Sequence, residues 1–116
     1  MQLKVSVTEG VYMLNPADII CLEASSNYTR LYLTGSRNIF SAKTLKQYET
    51  MLPVNNFYRV HSSYLINTQH ICHISRAGVI GLSQNICVHI SKRRKSRIKS
   101  LLKQKGFSAS HPPKVL

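Results

Sequence analysis

The sequence predicts a mainly β protein of antiparallel strands, with one short internal helix and one helix near the C-terminal end. Three observations carry this expectation. Short segments of apolar residues, several in strict alternation with polar ones, recur from Leu3 to Ile90, eight or more of them, with turn residues between them. Helical spacing of apolar residues occurs in only two places, Lys43–Leu52 and the stretch after Ser91. The last alternating segment, Ile86–Ile90, runs straight into the block Lys92-Arg93-Arg94-Lys95.

Taken in order, Leu3–Thr8 alternates as a half-buried strand, Glu9-Gly10 offers a turn, and Val11–Leu14 returns antiparallel. Pro16 fixes its own backbone and disfavours helix at Asn15, so a connecting turn precedes the strand Ile19–Ala24. Ser25-Ser26-Asn27 breaks that strand with side chains that bond their own backbone. In Tyr28–Thr34, Leu31 and Leu33 share one face and Tyr28, Arg30 and Tyr32 the other, and Gly35-Ser36 suits a tight hairpin to Arg37–Ser41. Leu45, Tyr48, Met51 and Leu52 form one side of the internal helix, which Pro53 ends. Strands follow at Phe57–Val60, Leu65–Asn67 and Ile71–Ser75, and Val79–Leu82 pairs with Ile86–Ile90 across Ser83-Gln84-Asn85. Ser91 is the expected N-cap of a helix from about Lys92 to Lys105, with Gly106 as its left-handed cap. Residues 1–106 are read as one domain and 107–116 as a flexible tail.

Charge is the most informative part of the composition. A chain of 116 residues carries a formal charge of +12, unevenly placed. Up to Glu49, Lys4, Arg30, Arg37, Lys43 and Lys46 face Glu9, Asp18, Glu23 and Glu49; beyond Glu49 there is no acid, and eight of the remaining Lys/Arg fall between Lys92 and Lys105. Such a pole favours nucleic acid, an anionic membrane surface or an acidic partner. Cations at the start of a helix also oppose its dipole, which makes an arriving anion one explanation and a solvated cationic face the other. Apolar runs such as Ile19-Ile20-Cys21-Leu22 are far too short to cross a bilayer, and Met1–Lys4 opens no signal peptide, so a cytoplasmic protein is expected. Cys21, Cys72 and Cys87 are odd in number and sit beside aliphatic residues, as reduced core thiols do.

No metal is expected: His70, Cys72 and His73, or Cys87 and His89, lack finger-type spacing. Nor is an enzyme, since the four acids form no close pair, no glycine-rich phosphate loop is present, and His61 with Ser62 or Ser63 lacks an orienting third group. No cofactor is implied. The apolar stripe Ile98, Leu101 and Leu102 is too narrow for membrane insertion and suits packing on the β body. Nucleic acid remains, because Thr29-Arg30, Arg59, His61-Ser62 and Lys92–Lys95 all stand at or near strand ends or turns. RNP-type aromatic spacing and a Gly-x-x-Gly loop are both absent, against an RRM or KH domain. The alternative is a cationic interaction module for an acidic protein, or a non-specific RNA binder.

Three motifs add a resemblance. Asp18-Ile19-Ile20-Cys21-Leu22-Glu23-Ala24 followed by Asn27-Tyr28, then Phe57-Tyr58-Arg59-Val60-His61-Ser62-Ser63-Tyr64-Leu65-Ile66-Asn67, then Ile90-Ser91-Lys92-Arg93-Arg94 resemble, in order and spacing, the LytTR DNA-binding domain found at the C-terminus of many bacterial response regulators. The middle motif is the most specific, and the resemblance covers about Leu3 to Lys105. It implies an elongated β-β-β fold of three antiparallel sheets that puts loops, not a recognition helix, into successive major grooves of double-stranded DNA. The implied contacts are Thr29, Arg30, Arg59, His61, Ser62, Ser91, Lys92, Arg93 and Arg94, with Thr29, Ser62 and Arg93 at base edges and Arg30 and Ser91 on the backbone. The short hydroxyls of Thr29 and Ser62, where some relatives carry longer polar groups, imply weaker, water-mediated or altered readout there. The resemblance further implies a bacterial transcription regulator of a two-component system, monomeric in solution and dimeric on direct-repeat sites. No receiver domain precedes Leu3, so the expectation is an excised output domain or a stand-alone regulator.

Overall fold

Strands β1 (Leu3–Val7) and β2 (Gly10–Leu14) form the first antiparallel hairpin, and Pro16–Asp18 follows as a 3-10 turn capped by the Asn15 side chain. This computed structural model describes residues 2–107. Next come β3 (Ile19–Ser25), β4 (Tyr28–Leu33), β5 (Arg37–Ser41), helix α1 (Leu45–Met51), β6 (Phe57–His61) and β7 (Tyr64–Asn67). These five strands make one antiparallel sheet in the order β5-β4-β3-β7-β6. Strands β8 (Ile71–Ile74), β9 (Val79–Leu82) and β10 (Ile86–His89) form a third, smaller sheet, and α2 (Lys95–Gln104) ends the fold. The expected architecture of three antiparallel sheets with two helices is therefore the one observed.

The five-stranded sheet is covered on both faces, which explains the unbroken apolar run of β3. Leu22, Leu31, Leu33 and Leu65 pack with β1, β2 and α1 through Leu3, Val5, Leu14, Leu45 and Tyr48. Cys21, Val60 and Ile66 pack with the three-stranded sheet and α2 through Ile74, Ile80, Val88, Ile98 and Leu102. A strand buried on both faces has no polar side to show, so alternation gives way to Ile19-Ile20-Cys21-Leu22, all fully buried.

Local chemistry sets the turns. Gly35 and Ser36 both adopt left-handed backbone, at φ 77° and 58°, as the tight β4–β5 hairpin requires. Gln84 and Asn85 do the same between β9 and β10, and the Gln84 side chain accepts from Ser36 N–H at 2.9 Å, tying two turns together. Helix α1 starts two residues later than expected, because Thr44 and Gln47 form a reciprocal capping box that fixes its first turn. Gly106, at φ 95°, closes α2 as expected, with Phe107 N–H donating to Leu102 O at 2.9 Å.

Several expectations need correction. Ser91 has the extended backbone of a cap, but its hydroxyl caps nothing: Lys92–Arg94 is a 3-10 turn and the α-helix proper starts at Lys95. Only Cys21 is a core thiol, whereas Cys72 and Cys87 are exposed. Phe107, assigned to the tail, packs against the second core, so the folded unit reaches at least that residue. The remaining tail, 108–116, lies outside the described residues.

Candidate nucleic-acid interface

Three chain segments that are far apart in sequence meet at one end of the molecule: the β3–β4 tip, the β6–β7 tip and the Ser91–Arg94 turn. The join is made by backbone hydrogen bonds on either side of the middle tip. Ala24 N–H donates to Ser63 O at 2.9 Å, and Ser91 N–H donates to Val60 O at 2.8 Å. The first bond continues the β3–β7 pairing, in which Glu23 stands opposite Tyr64.

The β6–β7 tip is held rigidly by Arg59. Its Nη1 pairs with Glu49 Oε1 on α1 at 2.8 Å, its Nε donates to His61 O at 3.0 Å, and its Nη2 donates to Ser62 O at 2.5 Å. All three guanidinium nitrogens are engaged, so Arg59, expected as a DNA contact, braces the tip against α1. His61 Nδ1 accepts from Ser63 N–H at 3.0 Å, which leaves the proton of a neutral ring on Nε2 as a donor. Ser62 is exposed at the apex.

Thr29 faces inward. It is 1% exposed, on the same strand face as Leu31 and Leu33, and its hydroxyl donates to Lys43 O at 2.6 Å. Its one donor is thus engaged inside the protein. Ser25, Ser26, Asn27 and Tyr28 are exposed at that tip, and none of them is among the implied contacts, although Asn27-Tyr28 belongs to the first motif. Alternation along β4 carried the signal, since Thr29 shares parity with the two leucines.

Arg30 faces the other way and is half-buried. Its guanidinium carbon lies 4.6 Å from the Tyr32 ring centroid and 5.7 Å from that of Phe40, while Nε is buried without a partner. The carboxylate across from it, Glu23, is engaged elsewhere: Tyr32 OH donates to Oε1 at 2.8 Å and Tyr64 OH to Oε2 at 2.7 Å. Burial and then the bond to Glu23 push the Tyr32 phenol up to about 12, and the Glu23 bond is the first cause of a raised Tyr64 phenol.

At the third segment Lys92 and Arg93 are exposed and Arg94 is half-buried. The Arg59–Glu49 pair is the sole ion pair among the described residues, so no carboxylate neutralises this turn. The Ser91 hydroxyl is buried here without a hydrogen-bond partner. A cluster of uncompensated cations is chemically an anion receptor.

Fold and site together define a class: a β scaffold that sets two polar hairpin tips beside an uncompensated cationic turn before a C-terminal helix. The chain belongs to the LytTr DNA-binding domain family, whose model matches residues 9–103. It is 32% identical over 69 residues to the sensory transduction protein LytR of Staphylococcus epidermidis, covering 60% of this chain and 27% of that protein. Transcriptional regulatory protein LytR of Staphylococcus aureus strain N315 is likewise 32% identical over 69 residues, covering 60% of this chain and 28% of that one. The chain thus spans a little over a quarter of these relatives. A solved chain, described as the LytTr DNA-binding domain of a methyl-accepting/DNA response regulator from Bacillus cereus, superposes with a TM-score of 0.78 at 22% identity, over 87% of this chain and 95% of that one.

Proposed function

We propose that this chain is the sequence-specific DNA-binding domain of a transcription regulator, the output part of a two-component response regulator. The supporting observation is the pairing of Ser91 N–H with Val60 O, which sets an uncompensated run of cations beside the rigid β6–β7 tip. Lys92 and Arg94 neutralise phosphates, and Arg93, with the planar fork that suits guanine in a major groove, reads bases together with Ser62 and the Nε2–H of His61. Arg30 contributes to the backbone contact from the flanking hairpin. The role is not enzymatic: the side chains at the edge are donors and cations, suited to binding.

Two copies engage direct-repeat sites, and a receiver domain in the full-length protein supplies the input. If about five or six phosphates are neutralised, log K falls with log salt at a slope of roughly −5. A slope near zero on every duplex tested excludes the reading, and tighter salt-dependent binding to single-stranded RNA or to an acidic peptide favours the alternative. Arg93→Ala is expected to reduce affinity for a selected duplex by about tenfold or more while changing random-duplex affinity far less. An equal loss on both would make Arg93 a phosphate contact.

A further inference from the structure

One row of side chains runs across the whole five-stranded sheet, and it ends at the proposed recognition tip. In register, Phe40 on β5 stands opposite Arg30 on β4, Arg30 opposite Glu23 on β3, Glu23 opposite Tyr64 on β7, and Tyr64 opposite His61 on β6. Each step is a contact or is bridged by one. The Arg30 guanidinium lies over Phe40 and Tyr32, and Glu23 accepts from the Tyr32 and Tyr64 hydroxyls. The Tyr64 ring meets the His61 ring edge to face at 5.6 Å.

Glu23 is an unusual residue to find at the centre of this row. It is one of only four acids in a chain of net charge +12, and it lies one residue from the end of the molecule proposed to meet a polyanion. A carboxylate there repels phosphate, so charge alone gives it no use in binding. Its geometry does give it one. By accepting from two phenols on opposite neighbours, β4 and β7, it fixes where β7 leaves the tip relative to β4. The other side of the tip is fixed by Arg59 on Glu49, so two carboxylates brace Ser62 from both flanking strands.

We infer that Glu23 is a positioning residue for sequence readout: through Tyr64 it holds the His61–Ser63 tip, and through Tyr32 it holds the platform on which Arg30 lies, so that both meet DNA in a preset geometry. This rests on the DNA-binding reading above. Preset geometry matters most for base contacts, whose donors and acceptors must align, and least for phosphate contacts, which tolerate displacement.

The test uses Tyr64→Phe, which removes the bond without changing charge, and Glu23→Gln, which changes charge while keeping size. A duplex is first enriched from a random pool by the wild-type chain, and affinities for it and for a random duplex are measured at one salt concentration. Tyr64→Phe is expected to reduce the preference for the enriched duplex by about tenfold, with random-duplex affinity unchanged. Glu23→Gln is expected to reduce the preference similarly while strengthening random-duplex binding. An unchanged preference in Tyr64→Phe, or an equal rise on both duplexes in Glu23→Gln, overturns the inference, the latter marking Glu23 as a simple repulsive charge. Amide exchange at Ala24, whose N–H is bonded to Ser63 O, is read without DNA: it should quicken in Tyr64→Phe, and an unchanged rate overturns the inference. If the wild type enriches no duplex, the DNA-binding reading fails, and the exchange rate still decides whether Glu23 and Tyr64 hold the tip.

Discussion

At the scale of single residues, the structure separates side chains that could face a ligand from those that hold others in place. Thr29 and Arg59 belong to the second group, since each directs its polar atoms to backbone carbonyls or to Glu49. Replacing Thr29 by Val keeps the shape and removes the donor to Lys43 O, which should cost about 1–2 kcal/mol in urea denaturation and leave duplex preference unchanged. A change in preference at constant stability would instead make Thr29 a reader. Which of the nine expected residues point outward was partly legible beforehand. The parity of Leu31 and Leu33 already placed Thr29 inward, and following the motif alone hid it. The role of Arg59 was not legible, because Glu49 lies ten residues earlier on another element and only the folded chain brings them to 2.8 Å. Cys72 and Cys87 show the same limit: apolar neighbours in sequence do not fix which face a strand residue takes.

At the scale of elements, the pattern of short strands and turns was legible almost throughout, because each turn carries its own chemistry and each strand its own parity. Pairing order was not, since β3 meets β7 only after α1 and β6 have intervened. Helix α2 shows what sequence spacing can and cannot supply. Ile98 and Leu102 are buried at 2% and 1% exposure, as the helical spacing implied, yet the Ser91 hydroxyl makes no cap and the first turn is 3-10. The helix is thus anchored by its apolar side, while its basic start is placed by β10 and the Ser91 N–H bond to Val60 O. Ile98→Ala should therefore lower stability by about 2–4 kcal/mol in urea denaturation. Under conditions where that variant remains folded, the salt slope of DNA binding should be retained. Loss of the slope would mean that α2, not the strand end, positions Lys92–Arg94.

At the scale of the whole molecule, charge repulsion and tightly held protons both bear on stability in alkali. The charge of +12, with one ion pair among the described residues, favours expansion through self-repulsion, which salt screens. Against it stand groups that hold their protons more tightly when folded. Burial pushes the Cys21 thiol from 9.0 up to about 12, and burial with the Glu23 bond pushes the Tyr32 phenol from 10.0 up to about 12. Tyr48, in the first core, and Tyr64 are raised as well. Above pH 9 the unfolded chain therefore releases protons that the folded chain keeps, so these groups contribute fully below pH 9 and the contribution is lost as pH rises to about 12. With that repulsion screened at about 0.5 M salt, the urea midpoint should fall steadily from about pH 9 upward. Tyr32→Phe removes one of these protons, and its midpoint should fall less steeply than that of the wild type. Parallel curves for the two proteins would mean that Glu23 and burial do not hold the Tyr32 proton in the folded chain, and would remove the β4 arm of the Glu23 brace while leaving the Tyr64 arm standing.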